Sequence, residues 1–347
     1  DAMAGAVALM LADPGRDTAR REALFRQRAT AVVTVLPDAE ALGAVRRRYG
    51  SGRAELASEE LDTLSAYITD AALARVLGAK RWAQWKNEAD KSDFAPFELN
   101  LAMTIEATAD RREFASQNIL GMIPGTVPGS GAVLLLGHWD HLGECGPPEA
   151  VNRICNGAAD NASGIAMMLE LARRLKIGPA LDRDIYVLAT SAEEAGLLGA
   201  RAFVKAPPMP LDSVIAAFNF DMMAVAPVAS PVGFIGRGHS AALDAAILAA
   251  LARNGRVLGD QALADSFLQR QDGWAFHQAG VPSVLLSGTY GSRTVLDPFL
   301  ASRYHRPSDE VDGIELGGAV EDLLLHEDLI RLLADTERYP RPAAAQP

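Results

Sequence analysis

Cysteine is nearly absent from this 347-residue chain: Cys145 and Cys155 are the only two, and they share one Gly/Pro-rich loop. A lone pair at this spacing lacks the partners of a cysteine zinc site. Two readings stay open, a disulfide in an oxidising compartment or two reduced thiols. Long apolar runs are missing as well. Ala241–Ala252 is among the longest and is interrupted by Asp244, well below the roughly 18 apolar residues that a membrane span needs. Basic residues are outnumbered, 33 Lys and Arg against 44 Asp and Glu, for a formal charge of −11. That argues against nucleic acid as a partner, because binding it draws on an excess of Lys and Arg to neutralise phosphates. The chain starts at Asp1 without Met or a charged-then-apolar leader. This suggests a processed chain, exported to the periplasm or secreted, whose signal peptide is not part of this sequence. No internal repeat is visible, and the only low-complexity stretch is the Pro/Ala tail after Tyr339.

What remains is ordinary globular material, 49% hydrophobic and 22% charged, long enough for one large domain and a smaller one. Residues 1–96 read as a small α/β domain. Ala6–Met10 and Ala31–Leu36 are strand-like, and Pro37 closes the second. Thr18–Arg28 places Ala19, Ala23 and Leu24 on one face of an amphipathic helix. Helical patterns follow at Ala39–Arg48 and Asp70–Leu77, continuing through Trp82 and Trp85. No catalytic residue types cluster here, and a lid or interaction module is the expectation.

From Phe97 onward, residues 97–347, strands alternate with helices. Ala132–Leu136, Asp184–Ala189, Val214–Phe220 and Ser283–Leu286 are short apolar runs suited to strands buried on both faces. Helix patterns lie at Asn161–Lys176, Gly196–Lys205, Ser240–Asn254 and Gly318–Asp335. The alternation predicts a three-layer α/β sandwich around a mixed, largely parallel sheet.

Ligands of open α/β sheets bind beyond the carboxyl ends of the strands, so the residues that follow each strand carry the chemistry. The first buried strand leads to Gly137-His138-Trp139-Asp140, the second to Ser191-Ala192-Glu193-Glu194, and the third ends on Asp221. A longer loop after the fourth reaches Tyr304-His305-Arg306-Pro307-Ser308-Asp309, and Asn156–Gly164, containing Asp160, opens a helix. Singly, each has a plain structural reading: Asp160 as a helix N-cap, Glu193 and Glu194 as an acidic first turn, either histidine as a packed side chain. Together, His138, Asp160, Glu194, Asp221 and His305 form a mixed N/O set that suits zinc. Five groups are too many for one tetrahedral ion and fit two if one carboxylate bridges. Such a pair of metals can polarise a carbonyl and acidify a water.

Five segments in order, GHWDHLG, NGAADNASG, TSAEEAGLLGA, NFDMM and YHRPSDEVD, resemble the zinc-dependent aminopeptidase family that includes bacterial leucyl aminopeptidases and the catalytic domain of glutamate carboxypeptidase. The resemblance covers roughly Phe97 to Leu333. It implies two Zn2+ per chain, with His138 and Asp221 on one, Glu194 and His305 on the other, and Asp160 bridging. It also implies Glu193 as general base, Asp140 as the carboxylate that orients His138, and a cis bond between Asp160 and Asn161. The substrate implied is a peptide with a free N-terminus, cleaved one residue at a time. The first domain resembles, more loosely, part of a protease-associated insert domain. Two departures stand out: Gln271-Asp272-Gly273 replaces the relatives' Ser-Asp-His, and Cys155 replaces a frequent Tyr.

Trp274, Phe276, Tyr290 and Phe299 are candidates for a side-chain pocket, although isolated aromatics are more often core, and Tyr304 is a candidate for a hydrogen bond to the tetrahedral oxyanion, with packing as its equal alternative. Two other functions stay in view. Carboxy-end cleavage of acidic dipeptides would use arginines such as Arg237, Arg293, Arg303 or Arg306, and an inactive receptor-like binding protein would have lost ligands. Glutaminyl cyclases run on one zinc, and lid-domain deacylases need more chain than separates Asp221 from His305.

Overall fold

The computed structural model of the protein describes residues 3–50, 52–59, 63–108 and 110–341. Two compact units divide between Phe114 and Ala115. The boundary expected after residue 96 is therefore displaced, because Phe97–Phe114 shows no helix or strand among its described residues and clusters with the first unit.

The first unit is a parallel three-stranded sheet, β1 (Val7–Leu11), β2 (Ala31–Leu36) and β3 (Leu64–Thr69), with β2 in the middle. Helices α1 (Asp17–Arg26) and α2 (Ala39–Tyr49) connect the strands, and α3 (Asp70–Leu77) and α4 (Ala79–Ala89) follow. β2 is buried along its whole length, as its run of Val and Ala dictates. The expected amphipathic helix forms as α1 but buries no residue fully; Leu24 and Phe25 pack only in part against Ala8, Met10 and Val32. The helix expected to run on through Trp82 breaks at Gly78, whose φ of 85° belongs to glycine. Trp82 then donates to Asp70 at 2.8 Å and folds α4 back on α3.

The second unit is built on a six-stranded sheet. Its strands are β4 (Ile119–Ile123), β5 (Ala132–His138), β8 (Asp184–Thr190), β9 (Val214–Asn219), β10 (Gly233–Ile235) and β11 (Ser283–Ser287), in the order β10-β11-β9-β5-β8-β4. The four inner strands are parallel and the two edges antiparallel, which is the mixed, largely parallel sheet expected. Successive residues of β5 face opposite sides. Val133 and Leu135 pack with α5 (Gly164–Ile177), α7 (Ala241–Arg253) and α11 (Leu316–Ala334), whereas Leu134 and Leu136 pack with α6 (Leu198–Lys205) and α9 (Gly273–Gln278). The result is three layers. A small hairpin of β6 (Gly143–Glu144) and β7 (Ile154–Cys155), with helices α8 (Gln261–Asp265) and α10 (Arg293–Ser302), completes the unit. No helix among the described residues is long and apolar enough to cross a membrane.

Candidate metal centre

Five elements deliver five ligand-type side chains to the carboxyl edge of the large sheet. His138 is the last residue of β5, Glu194 lies in the turn after β8, and Asp221 lies two residues past β9. Asp160 sits in an irregular wide turn, Ala158–Ser163, that precedes α5, with its own backbone angles outside the helical range. His305 follows α10 in a left-handed conformation, φ 57°. Because the inner strands are parallel and in register, with His138 opposite Thr190, their ends converge on one place.

The Asp160 carboxylate is shared. Its Oδ1 lies 3.3 Å from His138 Nε2, which is 3.6 Å from Asp221 Oδ1. Its Oδ2 lies 3.4 Å from His305 Nε2, which is 3.0 Å from Glu194 Oε2. Two atoms bound to one tetrahedral zinc at about 2.0–2.1 Å are themselves about 3.3 Å apart, and these four separations lie near that value; His138, Asp160 and Asp221 form one compact ligand-type group, and Asp160 and Glu194 form another with His141. The Nε2 atoms of His138 and His305 are buried and without a hydrogen bond. Orphaned ring nitrogens are costly, and a metal is the partner their surroundings fit.

Electrostatics point the same way. Burial opposes the charge on His138, but the adjacent Asp160 and Asp221 carboxylates outweigh it and hold the imidazolium well above the ordinary range. His305 is likewise desolvated, yet Asp160 and Glu194 raise it to about 9. Asp160 is pulled below the carboxylate range by His138 and His305 against the effect of burial. Glu193 is pushed well above its usual value by burial, with His138 opposing and Asp221, Asp272 and Glu194 adding to the shift. Asp272, fully buried, rises to about 7 for the same first reason. Buried acid in such excess calls for a compensating cation.

Neighbouring groups hold this arrangement. Asp140 was expected to orient His138 through its carboxylate. Here the backbone carbonyl of Asp140 does so, accepting from His138 Nδ1 at 3.0 Å, while Oδ1 is 3.8 Å away. The carboxylate instead accepts the backbone N–H groups of Glu193 at 3.1 Å and Glu194 at 3.4 Å. The Asp160–Asn161 bond is cis. Asn161 donates to the carbonyls of Phe220 at 2.8 Å and His138 at 3.3 Å, and accepts from Gly164 and Met222, tying together three segments that carry candidate ligands. Asp309 accepts from the amides of Ala159 and Asp160. His141, unassigned in the sequence, lies 2.7 Å from Glu194. The only signals for Asn161, Asp309 and His141 were their places inside the ordered segments.

The aromatic candidates divide. Tyr304 stacks on His305 with centroids 3.7 Å apart, and burial, then Asp160, raises its phenol. Tyr290 is buried against Phe267, 5.2 Å between centroids, and its phenol is raised by burial and by Asp221 and Asp160. Phe276 is no pocket wall: it is fully buried among Leu134, Leu136 and Phe203, since α9 turns this face to the sheet. Phe299 is core too, packed with Leu296 and Tyr290. Trp274 stacks on His277. Cys145 and Cys155 are joined by a disulfide that links β6 to β7, and Cys145 Sγ lies 3.6 Å from the His305 carbonyl.

Comparison with known proteins agrees with this architecture. Two curated relatives match part of the chain. The probable lipoprotein aminopeptidase LpqL of Mycobacterium tuberculosis is 30% identical over 61% of this chain and 44% of its own length. Aminopeptidase YwaD of Bacillus subtilis is 37% identical over 28% of this chain and 20% of its own. The chain thus spans less than half the length of the curated relatives it matches. Among solved structures, an aminopeptidase from Aneurinibacillus sp. strain AM-1 superposes with a TM-score of 0.58 at 19% identity, over 100% of this chain and 74% of that one. A zinc aminopeptidase from Bacillus subtilis does so with a TM-score of 0.53 at 17% identity, over 97% and 72%; both show a shared fold. The model of peptidase family M28 matches residues 118–323, the stretch that carries every candidate ligand described above. The chain is a member of peptidase family M28.

Proposed function

We propose that this chain is a zinc-dependent exopeptidase of the aminopeptidase type, removing N-terminal residues from peptides at a centre for two zinc ions. The observation that carries this reading is the division of the Asp160 carboxylate, one oxygen toward His138 and Asp221 and the other toward His305 and Glu194. The relatives named as aminopeptidases support the peptide substrate, and the His/carboxylate donor set supports zinc.

His138, Asp221 and Asp160 would hold one ion, and His305, Glu194 and Asp160 the other. Bound there, the pair would polarise the scissile carbonyl and lower the pKa of a water. The rest falls to the chain's own groups. Glu193 takes the proton of the attacking water; burial strengthens it as a base, and the same carboxyl then passes the proton to the leaving amine. Asp140 keeps Glu193 and Glu194 in place by holding both their backbone amides. Tyr304, kept protonated by burial and the adjacent acids, can donate its O–H to the developing oxyanion. The surrounding carboxylates attract a protonated amine, which favours a free N-terminus. Export is supported by the disulfide and by the relative named a lipoprotein, and the first unit is read as a protease-associated-like module.

The test is an assay of aminoacyl-nitroanilides against acidic dipeptides, with and without a chelator. Nitroanilide cleavage abolished by the chelator and restored by zinc is expected. Cleavage of acidic dipeptides alone, or activity indifferent to chelation, would defeat the reading.

A further inference from the structure

His141 stands in the loop between β5 and β6, three residues after His138, and neither the ligand set nor the general base accounts for it. Its Nδ1 lies 2.7 Å from Oε1 of Glu194. The other Glu194 oxygen, Oε2, lies 3.0 Å from His305 Nε2. The two oxygens of one carboxylate are thus divided between two imidazoles. The His141 ring is also clamped in place. A Cβ at Gly157 would come within 2.8 Å of its Cγ and Cδ2, and its ring meets the edge of His305 at 5.9 Å between centroids. Gly157 begins the turn that carries Asp160. One ring therefore packs on the turn of the bridging aspartate while it grips the neighbouring glutamate.

We propose that His141 is a positioning residue: by donating its Nδ1–H to Oε1, it fixes Glu194 as a one-oxygen ligand with Oε2 turned to the metal beside His305. This rests on the two-metal reading and deepens it. His141 can be grouped with Asp160 and Glu194 around one cation, and the distance to Glu194 decides against that direct role. A separation of 2.7 Å is that of a hydrogen bond, shorter than the about 3.3 Å between two atoms on one tetrahedral zinc. An acceptor that is held loses fewer orientations when the ion arrives, and outer partners of this kind are worth about 10–100-fold in metal affinity.

The experiment is a zinc titration in competition with a chromophoric chelator, on the wild type, His141→Phe, His141→Asn and Glu194→Ala, with thermal melting of each as a check on folding. Phenylalanine keeps the ring that packs on Gly157 and removes the donor, whereas the asparagine amide replaces Nδ1–H. The expected result is that His141→Phe binds the second zinc about 10–100-fold more weakly with the first unchanged, and that His141→Asn stays within a few-fold of the wild type. Second-zinc affinity unchanged in His141→Phe would overturn the proposal, and so would loss of that zinc in His141→Asn as complete as in Glu194→Ala. If the phenylalanine variant does not fold, His141→Leu, which also lacks the donor, is titrated in its place and decides by the same criterion. Two zincs in the wild type with no effect in His141→Phe would defeat this proposal alone; a wild type that takes only one zinc would defeat it together with the two-metal reading.

Discussion

Asp309 accepts the backbone amide of Asp160 at 3.1 Å, across nearly half the length of the chain. It also accepts the amide of Ala159, and Arg303 lies 2.9 Å from its other oxygen. Asp309 follows His305 closely in sequence, so a single buried carboxylate fixes the turn of the shared aspartate to the loop of the second histidine. Asp309→Ala leaves two buried amides without an acceptor. A loss of about 2–4 kcal/mol in unfolding free energy is expected, together with weaker zinc binding, both measurable by urea denaturation with and without the metal. Wild-type stability in this variant would mean that the contact is incidental.

Adjacent Glu193 and Glu194 should separate by mutation. Glu193→Gln keeps the side-chain shape and removes the base, so zinc content should stay at the wild-type level while turnover drops by about 10²–10⁴-fold. Glu194→Ala removes a ligand, and zinc content should fall toward one per chain. Metal analysis and turnover on both variants check the pair. Zinc lost from the first and retained in the second would reverse the two assignments.

His326 gives a pH signature of stability away from the metal centre. It is fully buried between Phe218 and Phe220, with Nδ1 donating to the Asp322 carbonyl at 2.7 Å. Burial above all, with the Arg256 charge adding and the Asp322 bond opposing, lowers it to about 4. The unfolded chain takes up this proton near the ordinary histidine value of about 6.5, whereas the folded chain does not until about 4. The contribution is therefore complete above that unfolded value and is lost as pH falls toward the folded one, by roughly 3 kcal/mol at most. His326→Gln should show a shallower loss over the same interval in urea titrations. Parallel wild-type and variant curves would contradict the assignment.

The disulfide is open to direct inspection. Mass spectrometry of the non-reduced protein should find Cys145 and Cys155 linked and no free thiol. Cys155→Ser should lower stability by about 2–3 kcal/mol, the order expected for a loop of this size. Two free thiols in the non-reduced protein would refute the bond.

Much of the centre could be read from residue order. β5, β9 and β11 are apolar runs buried along their whole length and β8 is one buried in part, and the His, Glu or Asp that follows each is where a parallel sheet presents its ligands. His141 was not legible, because nothing in His138-Trp139-Asp140-His141 says which imidazole faces an ion and which a carboxylate; that depends on the turn after β5. Phe276 misled because a short helix can direct an aromatic to the core or to a cleft with equal ease. The edge strand β4 was missed since it is half exposed and lacks the unbroken apolar run of the inner strands. The break at Gly78 was missed because the apolar spacing continues across it while the backbone does not.

The measurement closest to the central claim is the zinc content of the purified chain together with that of Asp160→Asn. Two zinc ions per chain are expected in the wild type, and weakened binding of both in the variant, since Asp160 faces His138 with one oxygen and His305 with the other. A wild type that is fully active with a single ion, or an Asp160→Asn variant that binds two as tightly as before, would contradict the two-metal centre.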